Sequence, residues 1–144
     1  MIFLPFKRAT LLMPSGPVHD VERRHLFVLI TDPVENLVTK IKETLVVSLS
    51  TIKPQNPFDD TCIIHPNEHP FIKHDSFVFY RRATIQDCNK LINGVKQGVF
   101  EAKGIIDATV FSKICNGIES SRYTPPKCLK FYRRVYNPFE QPKI

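Results

Sequence analysis

Three histidines and one glutamate lie within a ten-residue segment in the middle of the chain: His65, Glu68, His69 and His74. Histidine titrates near about pH 6.5, so it can act as a general acid or base at neutral pH. Histidine is also a common metal ligand, but two histidines at this spacing share a face only in a helix, and the two prolines of the segment oppose a helix. We therefore predict His65 and His69 as acid–base residues and expect no metal ion or other cofactor. The alternatives are a structural metal site and histidines that only form hydrogen bonds with the backbone.

Arginine pairs stand next to aromatic residues or a buried strand in three segments: Arg23-Arg24, Phe79-Tyr80-Arg81-Arg82 and Phe131-Tyr132-Arg133-Arg134. This combination is typical of proteins that bind single-stranded nucleic acid, in which charges follow the phosphates and rings stack on bases. Ordinary strand ends have the same composition, because basic side chains lie along apolar neighbours with their charged ends in water. The candidate RNA-binding residues are Arg23, Lys73, Tyr80, Arg81 and Arg82.

The net charge and the absence of several known sequence motifs limit the binding partners and the reactions that can be expected of this chain. The formal net charge of +6 favours phosphate-bearing or acidic partners. The five glycines never fall at the spacings of a phosphate-binding loop, a dinucleotide fingerprint or a serine-hydrolase elbow. Cleavage of RNA without a metal ion needs only a base, an acid and a cation near the phosphate. Histidine, arginine and a hydroxyl can supply these groups.

In the first part of the chain, the elements predicted to position these residues are mainly β-strands. Apolar runs predict strands at 2–12, 26–31, 44–49, 61–64 and 76–80. The first is expected at an edge of the sheet, because Pro5 removes a backbone donor. Apolar residues at helical spacing predict one short helix within 34–43.

After residue 85 the hydrophobic period becomes helical. Thr84 is predicted to cap one helix and Asp107 a second, with a short strand at 99–106 between them. The apolar stripe of the second helix is Val110, Phe111, Ile114 and Ile118. The basic and aromatic run at 128–136 predicts a final strand.

The chain of 144 residues suits one domain with its own core. The elements predict an α+β fold: a small, mostly antiparallel barrel or sandwich at about 2–85, a helical extension at about 86–136, and a loose tail at 137–144. The four cysteines are too widely spaced for a metal site, and no apolar run reaches the roughly 18 residues of a membrane helix. We expect reduced thiols and a cytoplasmic protein without membrane association.

The order of these segments resembles that of the PemK/MazF toxins, endoribonucleases built on a small SH3-like barrel. In that family a glycine and then Arg-Pro lead into a Val-rich strand, and Gly16 with the run RHLFV from Arg24 occupies that place here. The next strand of the family ends in threonine, as LVVSLST ends in Thr51. A later segment of the family is similar to SFVFYRRATI at 76–85.

The resemblance implies an SH3-like barrel and a metal-independent endoribonuclease of toxin–antitoxin type that cleaves single-stranded RNA. It implies that Arg24 stabilises the scissile phosphate, that Thr51 or Ser50 positions it, and that an antitoxin protein is a partner; a homodimer is left open. The chain differs from the family at the proline after the arginine, which is His25 here. His25 therefore joins His65 and His69 as an acid–base candidate. The alternative function is a non-catalytic SH3-like barrel that binds nucleic acid or protein.

Overall fold

The computed structural model describes residues 2–14 and 24–138. Within them, eight strands form one antiparallel sheet and three α-helices lie against it, which confirms the α+β class. The strands are β1 (Ala9–Pro14), β2 (Arg24–Leu29), β3 (Val34–Glu35), β4 (Lys42–Thr51), β5 (Ile63–Ile64), β6 (Ser76–Val78), β7 (Thr84–Asp87) and β8 (Glu101–Ile105). The helices are α1 (Cys88–Lys96), α2 (Ala108–Ser120) and α3 (Pro126–Tyr136), and one turn of 3-10 helix spans Tyr80–Arg82.

Strand β4 is the central strand of the sheet, whose order is β5-β6-β4-β2-β1-β8. One side of β4 pairs with β2 and β3, and the other side pairs with β6 and β7. The 3-10 turn lies in the chain between β6 and β7, so the two strands follow the same side of β4 with a break between them. Among the described strands, β5 and β8 are the edges of an open sheet.

The two faces of the sheet carry separate cores. Side chains alternate along a strand, so Leu26 and Val28 of β2 point to one face, where Ile114 of α2 and Phe131 of α3 cover them. The opposite face has a smaller core that includes Leu91 of α1. Helices α2 and α3 thus occupy one face and α1 occupies part of the other.

Aspartates begin two of the helices. The Asp107 carboxylate accepts hydrogen bonds from the backbone N–H groups of Thr109 and Val110, as the sequence predicts. The predicted stripe of α2 is buried: Val110, Phe111, Ile114 and Ile118. Helix α1 is capped by Asp87, whose carboxylate accepts from Asn89 N–H at 2.8 Å, and the predicted cap Thr84 instead begins β7.

The predicted strand at 128–136 is wrong, because these residues belong to α3. Pro126 stands in its first turn, where the missing N–H costs nothing. The buried residues recur at three- and four-residue spacing, at Cys128, Phe131 and Tyr132. Aromatic residues favour strands when they are considered singly, and this preference masked the helical period.

The predicted helix at 34–43 is also wrong. The segment forms β3, a turn and the start of β4. The side-chain oxygen of Asn36 accepts hydrogen bonds from the N–H groups of Val38 and Thr39 at 2.9 and 3.1 Å, which stabilises the turn. Leu37 and Val38 consequently lie exposed at its tip.

Two further expectations concern the cysteines and the helices. All four cysteines are buried, free thiols. None of the helices in residues 2–14 and 24–138 is long and apolar enough to cross a membrane. Arg23, Gly16 and most of the predicted tail, from residue 139 onward, lie outside the described residues.

Candidate nucleic-acid interface

A groove of about 1080 Å³ lies at the end of the sheet where β2 begins and β4 ends. Four separate segments of the chain line it with Arg24, His25, Ser50, Thr51, Lys53, Asn56, Pro57, Phe58, Asp59, Phe77, Phe79, Arg81, Arg82 and Tyr123. Four of these side chains are lysine or arginine and one is aspartate, so the described lining carries a positive formal charge. Five of them are aromatic or proline, so the same groove offers apolar surface for stacking.

The floor of the groove is a sheet face that changes from apolar to polar along the strands. In β4, Val46 belongs to the smaller core, whereas Ser48 and Ser50 stand on the same face beyond it. In β2, His25 and Phe27 share this face, and Phe27 pairs directly with Ser48. Helix α1 packs on the apolar half. In the polar half, His25 and Ser50 line the groove, whereas Phe27 and Ser48 line a smaller pocket beside it.

The 3-10 turn positions two arginines at the rim. Tyr80 is fully buried and its hydroxyl donates to the Ile114 carbonyl at 2.7 Å, so the turn is anchored in the core. Arg81 and Arg82 follow it and are exposed. The Arg81 guanidinium carbon lies 4.6 Å from the centroid of the Tyr123 ring. Stacking on an aromatic ring of this kind orients the guanidinium while its N–H groups stay accessible.

Asp59 fixes the loop that forms a second wall of the groove. Its carboxylate accepts hydrogen bonds from the Thr61 N–H at 3.0 Å and from the Ser121 hydroxyl at 2.7 Å. Partial burial acts to raise the pKa of Asp59, but the hydrogen bonds from Thr61 and Ser121 and the nearby Arg122 charge outweigh it and lower the pKa. The charge of Asp59 is therefore engaged in hydrogen bonds that fix the loop.

The structure brings together five of the predicted site residues. Arg24, His25, Thr51, Arg81 and Arg82 all line the groove. Arg24 begins β2 and Thr51 ends β4, and these strands are antiparallel neighbours, which places both residues at one end of the sheet. The convergence therefore follows from the strand order.

The histidines of the central segment are not part of this groove. The exposed His65 ring contacts Asp75 at 2.9 Å. His69 is only 5% exposed; its Nδ1 accepts from Phe71 N–H at 3.0 Å, so Nε2 carries the hydrogen and donates to the Lys103 carbonyl at 3.1 Å. Burial lowers the pKa of His69. Both ring nitrogens of His69 are thus engaged in structural bonds, and its predicted catalytic role does not fit this position.

Two predicted RNA-binding residues also lie away from the groove lining. Tyr80 has no exposed surface, so the expectation that its ring stacks on a base is wrong; the neighbouring Phe79 faces the groove instead. Lys73 is exposed but is not among the lining residues. The described residues also contain no group of three or more His, Cys, Asp or Glu side chains arranged to hold a metal ion.

The sequence interpretation missed several lining residues. Lys53, Asn56 and Phe58 come from the loop after β4, where the composition predicts only a loop. Tyr123 follows Arg122, which is the same arginine–aromatic pattern that singled out Arg81 and Arg82. That pattern could have identified Tyr123 as a fourth segment of the site.

No protein-family model matches the chain, and a search of curated proteins finds no significant match. The functional interpretation therefore depends on the groove itself.

Proposed function

We propose that this protein binds single-stranded RNA in the groove and cleaves it without a metal ion. The observation that carries the proposal is that Arg24, His25, Thr51 and the pair Arg81-Arg82 line one groove. These are the residue types that the reaction needs: cations for the phosphate, a group that transfers protons at neutral pH, and a hydroxyl.

In the proposed reaction the 2′-oxygen of a ribose attacks the adjacent phosphorus while His25 takes the 2′-hydroxyl proton. The bond from phosphorus to the 5′-oxygen breaks, and the proton is returned to that oxygen. The products are a 2′,3′-cyclic phosphate and a 5′-hydroxyl end. Arg24 and Arg81 stabilise the negative charge that builds up on the phosphate oxygens, and the Thr51 hydroxyl orients the phosphate by a hydrogen bond.

The aromatic residues supply the affinity for unpaired bases. Phe58 is exposed and Phe79 is half-buried, and both line the groove. The Tyr123 ring already has the Arg81 and Arg122 guanidinium groups 4.6 and 5.0 Å from its centroid, so Phe58 and Phe79 are the proposed stacking residues. Stacking of a base on such a ring contributes roughly 1–3 kcal/mol and requires that the base is not paired in a duplex. Stacking therefore favours a single-stranded nucleic acid, and the need for an attacking 2′-hydroxyl restricts the proposed substrate to RNA.

The SH3-like barrel of PemK/MazF type is part of the same proposal. What supports it is the antiparallel strand order and one contact near the edges of the open sheet: His69, in the connection between β5 and β6, donates to the Lys103 carbonyl of edge strand β8. This bond brings that connection next to β8. The proposal includes an antitoxin protein as a partner. It also allows the enzyme to form a homodimer.

The proposal is tested with purified protein in the presence of a chelator and a labelled, unstructured RNA. We expect fragments with 5′-hydroxyl and 2′,3′-cyclic phosphate ends, and at least 100-fold slower cleavage by His25→Ala and Arg24→Ala at an unchanged melting temperature, in line with the roughly 10²- to 10⁴-fold contribution of a general base. His65→Ala is the matched control, because His65 is exposed and lies outside the groove lining.

Each other outcome assigns a different function. RNA that stays intact but is bound, with an affinity that falls steeply with salt, would replace the enzyme by the non-catalytic binding module. Loss of cleavage in His65→Ala but not in His25→Ala would move the catalytic centre away from the groove. No binding of RNA by the folded protein would overturn the proposal altogether.

A further inference from the structure

The turn that carries Arg81 is fixed by bonds to the C-terminal helices on both sides of this residue. Before it, the Tyr80 hydroxyl is bonded to Ile114 of α2. After it, the Ala83 carbonyl accepts a hydrogen bond from the Cys128 thiol of α3 at 3.3 Å. These bonds fix the backbone of the turn, but they do not fix the exposed Arg81 side chain. The direction of that side chain depends on what its guanidinium contacts.

The guanidinium of Arg81 contacts the ring of Tyr123, whose centroid lies 4.6 Å from the guanidinium carbon. Tyr123 belongs to the connection between α2 and α3, and hydrogen bonds hold it at two points. Its N–H donates to the Ser121 hydroxyl oxygen at 3.1 Å, and its own hydroxyl accepts from the Arg122 guanidinium at 2.9 Å. Because Ser121 is the residue that ends α2, these bonds attach the ring to the helix.

Asp59 continues this series of contacts into the second wall of the groove. The Ser121 hydroxyl donates to the Asp59 carboxylate at 2.7 Å while it accepts from the Tyr123 N–H. A hydroxyl that donates to a carboxylate is polarised by it and becomes a better acceptor, so Asp59 strengthens the bond to Tyr123. The contacts from Asp59 through Ser121 and Tyr123 therefore reach Arg81 without a gap.

We propose that Tyr123 is a positioning residue: its ring holds the Arg81 guanidinium toward the phosphate, and Asp59 holds the ring through Ser121. The inference rests on the proposed function, because that function gives Arg81 its role on the phosphate. It adds a role for the C-terminal helices, whose connection supplies the ring that completes the site. It assigns Tyr123 an action through Arg81 and not on the RNA itself.

The test is a double-mutant cycle between Tyr123 and Arg81, because a residue that acts only through Arg81 loses its effect when Arg81 is absent. The cycle is measured as kcat/KM for cleavage of a labelled, unstructured RNA. It is measured again as affinity for the same strand carrying 2′-O-methyl groups, which lacks the attacking hydroxyl. We expect Tyr123→Leu to lower kcat/KM about tenfold and affinity about threefold, and to change both less than about twofold in Arg81→Ala. Tyr123→Phe keeps the ring and should stay within about twofold of the wild type.

A second cycle, between Asp59 and Arg81, tests the far end of the series. Asp59→Asn keeps the size of the side chain and removes its charge, so we expect about threefold slower cleavage and no further loss in Arg81→Ala. Loss of a negative charge by itself would raise the affinity for RNA, which is the opposite effect. Asp60→Asn is the matched control, because Asp60 is the exposed neighbouring aspartate and does not line the groove. It should cleave no more slowly than the wild type.

The outcomes separate this inference from the proposed function. A Tyr123→Leu effect of full size in Arg81→Ala would show that the ring acts on the RNA itself, and would overturn the inference while the proposed function stands. Equal losses in Tyr123→Phe and Tyr123→Leu would overturn it as well. If Tyr123→Leu lowers the melting temperature, the Asp59 cycle decides in its place. A wild type that binds RNA without cleaving it would overturn the proposed reaction, and the affinity cycle would still decide the inference.

Discussion

The Tyr80 hydroxyl donates a hydrogen bond of 2.7 Å to the backbone carbonyl of Ile114, and this bond joins the arginine-bearing turn to helix α2 in the core. Tyr80 is completely buried. The two exposed arginines that follow it are therefore positioned by a residue that never contacts solvent. The position of the groove rim therefore depends on the packing of the 3-10 turn against helix α2.

We predict that Tyr80→Phe lowers the free energy of unfolding by about 1 kcal/mol, because it removes one buried hydrogen bond and leaves the ring in place. Urea denaturation followed by circular dichroism measures the change. Tyr123→Phe is the control, since Tyr123 lies at the groove, and we expect its effect to stay within about 0.5 kcal/mol. Equal stability of the two variants would show that the bond to Ile114 contributes nothing.

Gly117 faces the same tyrosine from α2. A Cβ atom at position 117 would lie 1.9 Å from the Tyr80 hydroxyl oxygen, so a larger residue forces the ring or the helix to move. We predict that Gly117→Ala destabilises the protein by about 1–3 kcal/mol, although alanine is the better helix former. Asn116→Ala, at the exposed neighbouring position, should change the melting temperature little. A Gly117→Ala protein as stable as the wild type would contradict the close packing.

His69 should make stability depend on pH. Burial lowers its pKa below the ordinary value of 6.5. In acid the unfolded chain takes up a proton on this ring while the folded ring stays neutral, so protonation favours unfolding. The stabilisation is therefore complete above about pH 6.5 and is lost as the pH falls through the folded pKa.

The measurement compares urea unfolding near about pH 7.5 and about pH 5.5. We expect the wild type to lose more stability than His69→Ala over this interval, and His65→Ala to behave as the wild type does. His69→Ala should also be less stable at the higher pH, because Phe71 N–H and the Lys103 carbonyl lose their partner. An identical pH dependence for wild type and His69→Ala would show that this ring does not titrate differently on folding.

RNA binding should depend on salt through the groove arginines. Each phosphate contact contributes about 0.7 to the slope of log affinity against log salt concentration for a single strand. We therefore predict that Arg81→Ala and Arg82→Ala each reduce the slope by about this amount. Arg134→Ala is the control, because Arg134 is exposed on α3 and does not line the groove. An equal loss in the Arg134 variant would indicate a general charge effect.

The thiols should be inert in the folded protein. Burial raises the pKa of Cys88 to about 11 and that of Cys115 to about 12, and it also raises the pKa of Cys62 and Cys128. Because the thiolate is the reactive form, we expect almost no alkylation by iodoacetamide near about pH 8 and four modified cysteines in denaturant, counted by mass spectrometry. Rapid alkylation of the native chain would place a thiol at the surface.

Strands β2 and β4 and the capped helix α2 could be predicted because their signals are local. The apolar run of β4 and the Asp107 cap with its stripe need no partner to be recognised. The predicted first strand, at 2–12 on a sheet edge, is wrong: β1 begins at Ala9, beyond Pro5, and pairs with both β2 and β8. Helix α3 could not be predicted, because its aromatic and basic residues also suit a strand and only the packing of Phe131 and Tyr132 in the core decides between the two.

The site could be predicted only where strand ends define it. Arg24 and Thr51 meet because β2 and β4 pair in antiparallel fashion, which the order of apolar runs suggests. The acid–base role of His65 and His69 was predicted from residue type alone. Sequence spacing cannot indicate that the His69 ring is buried against Lys103, a residue far along the chain.

The bond between His69 and Lys103 has a consequence for self-association. Strand β8 is an edge of the sheet, and unpaired backbone groups on an edge can template pairing with another chain. The His69 ring occupies one of these carbonyls and holds the connection between β5 and β6 against the strand. Without this imidazole the Lys103 carbonyl loses its side-chain donor, and we expect β8 to pair with a second chain more readily in concentrated solution.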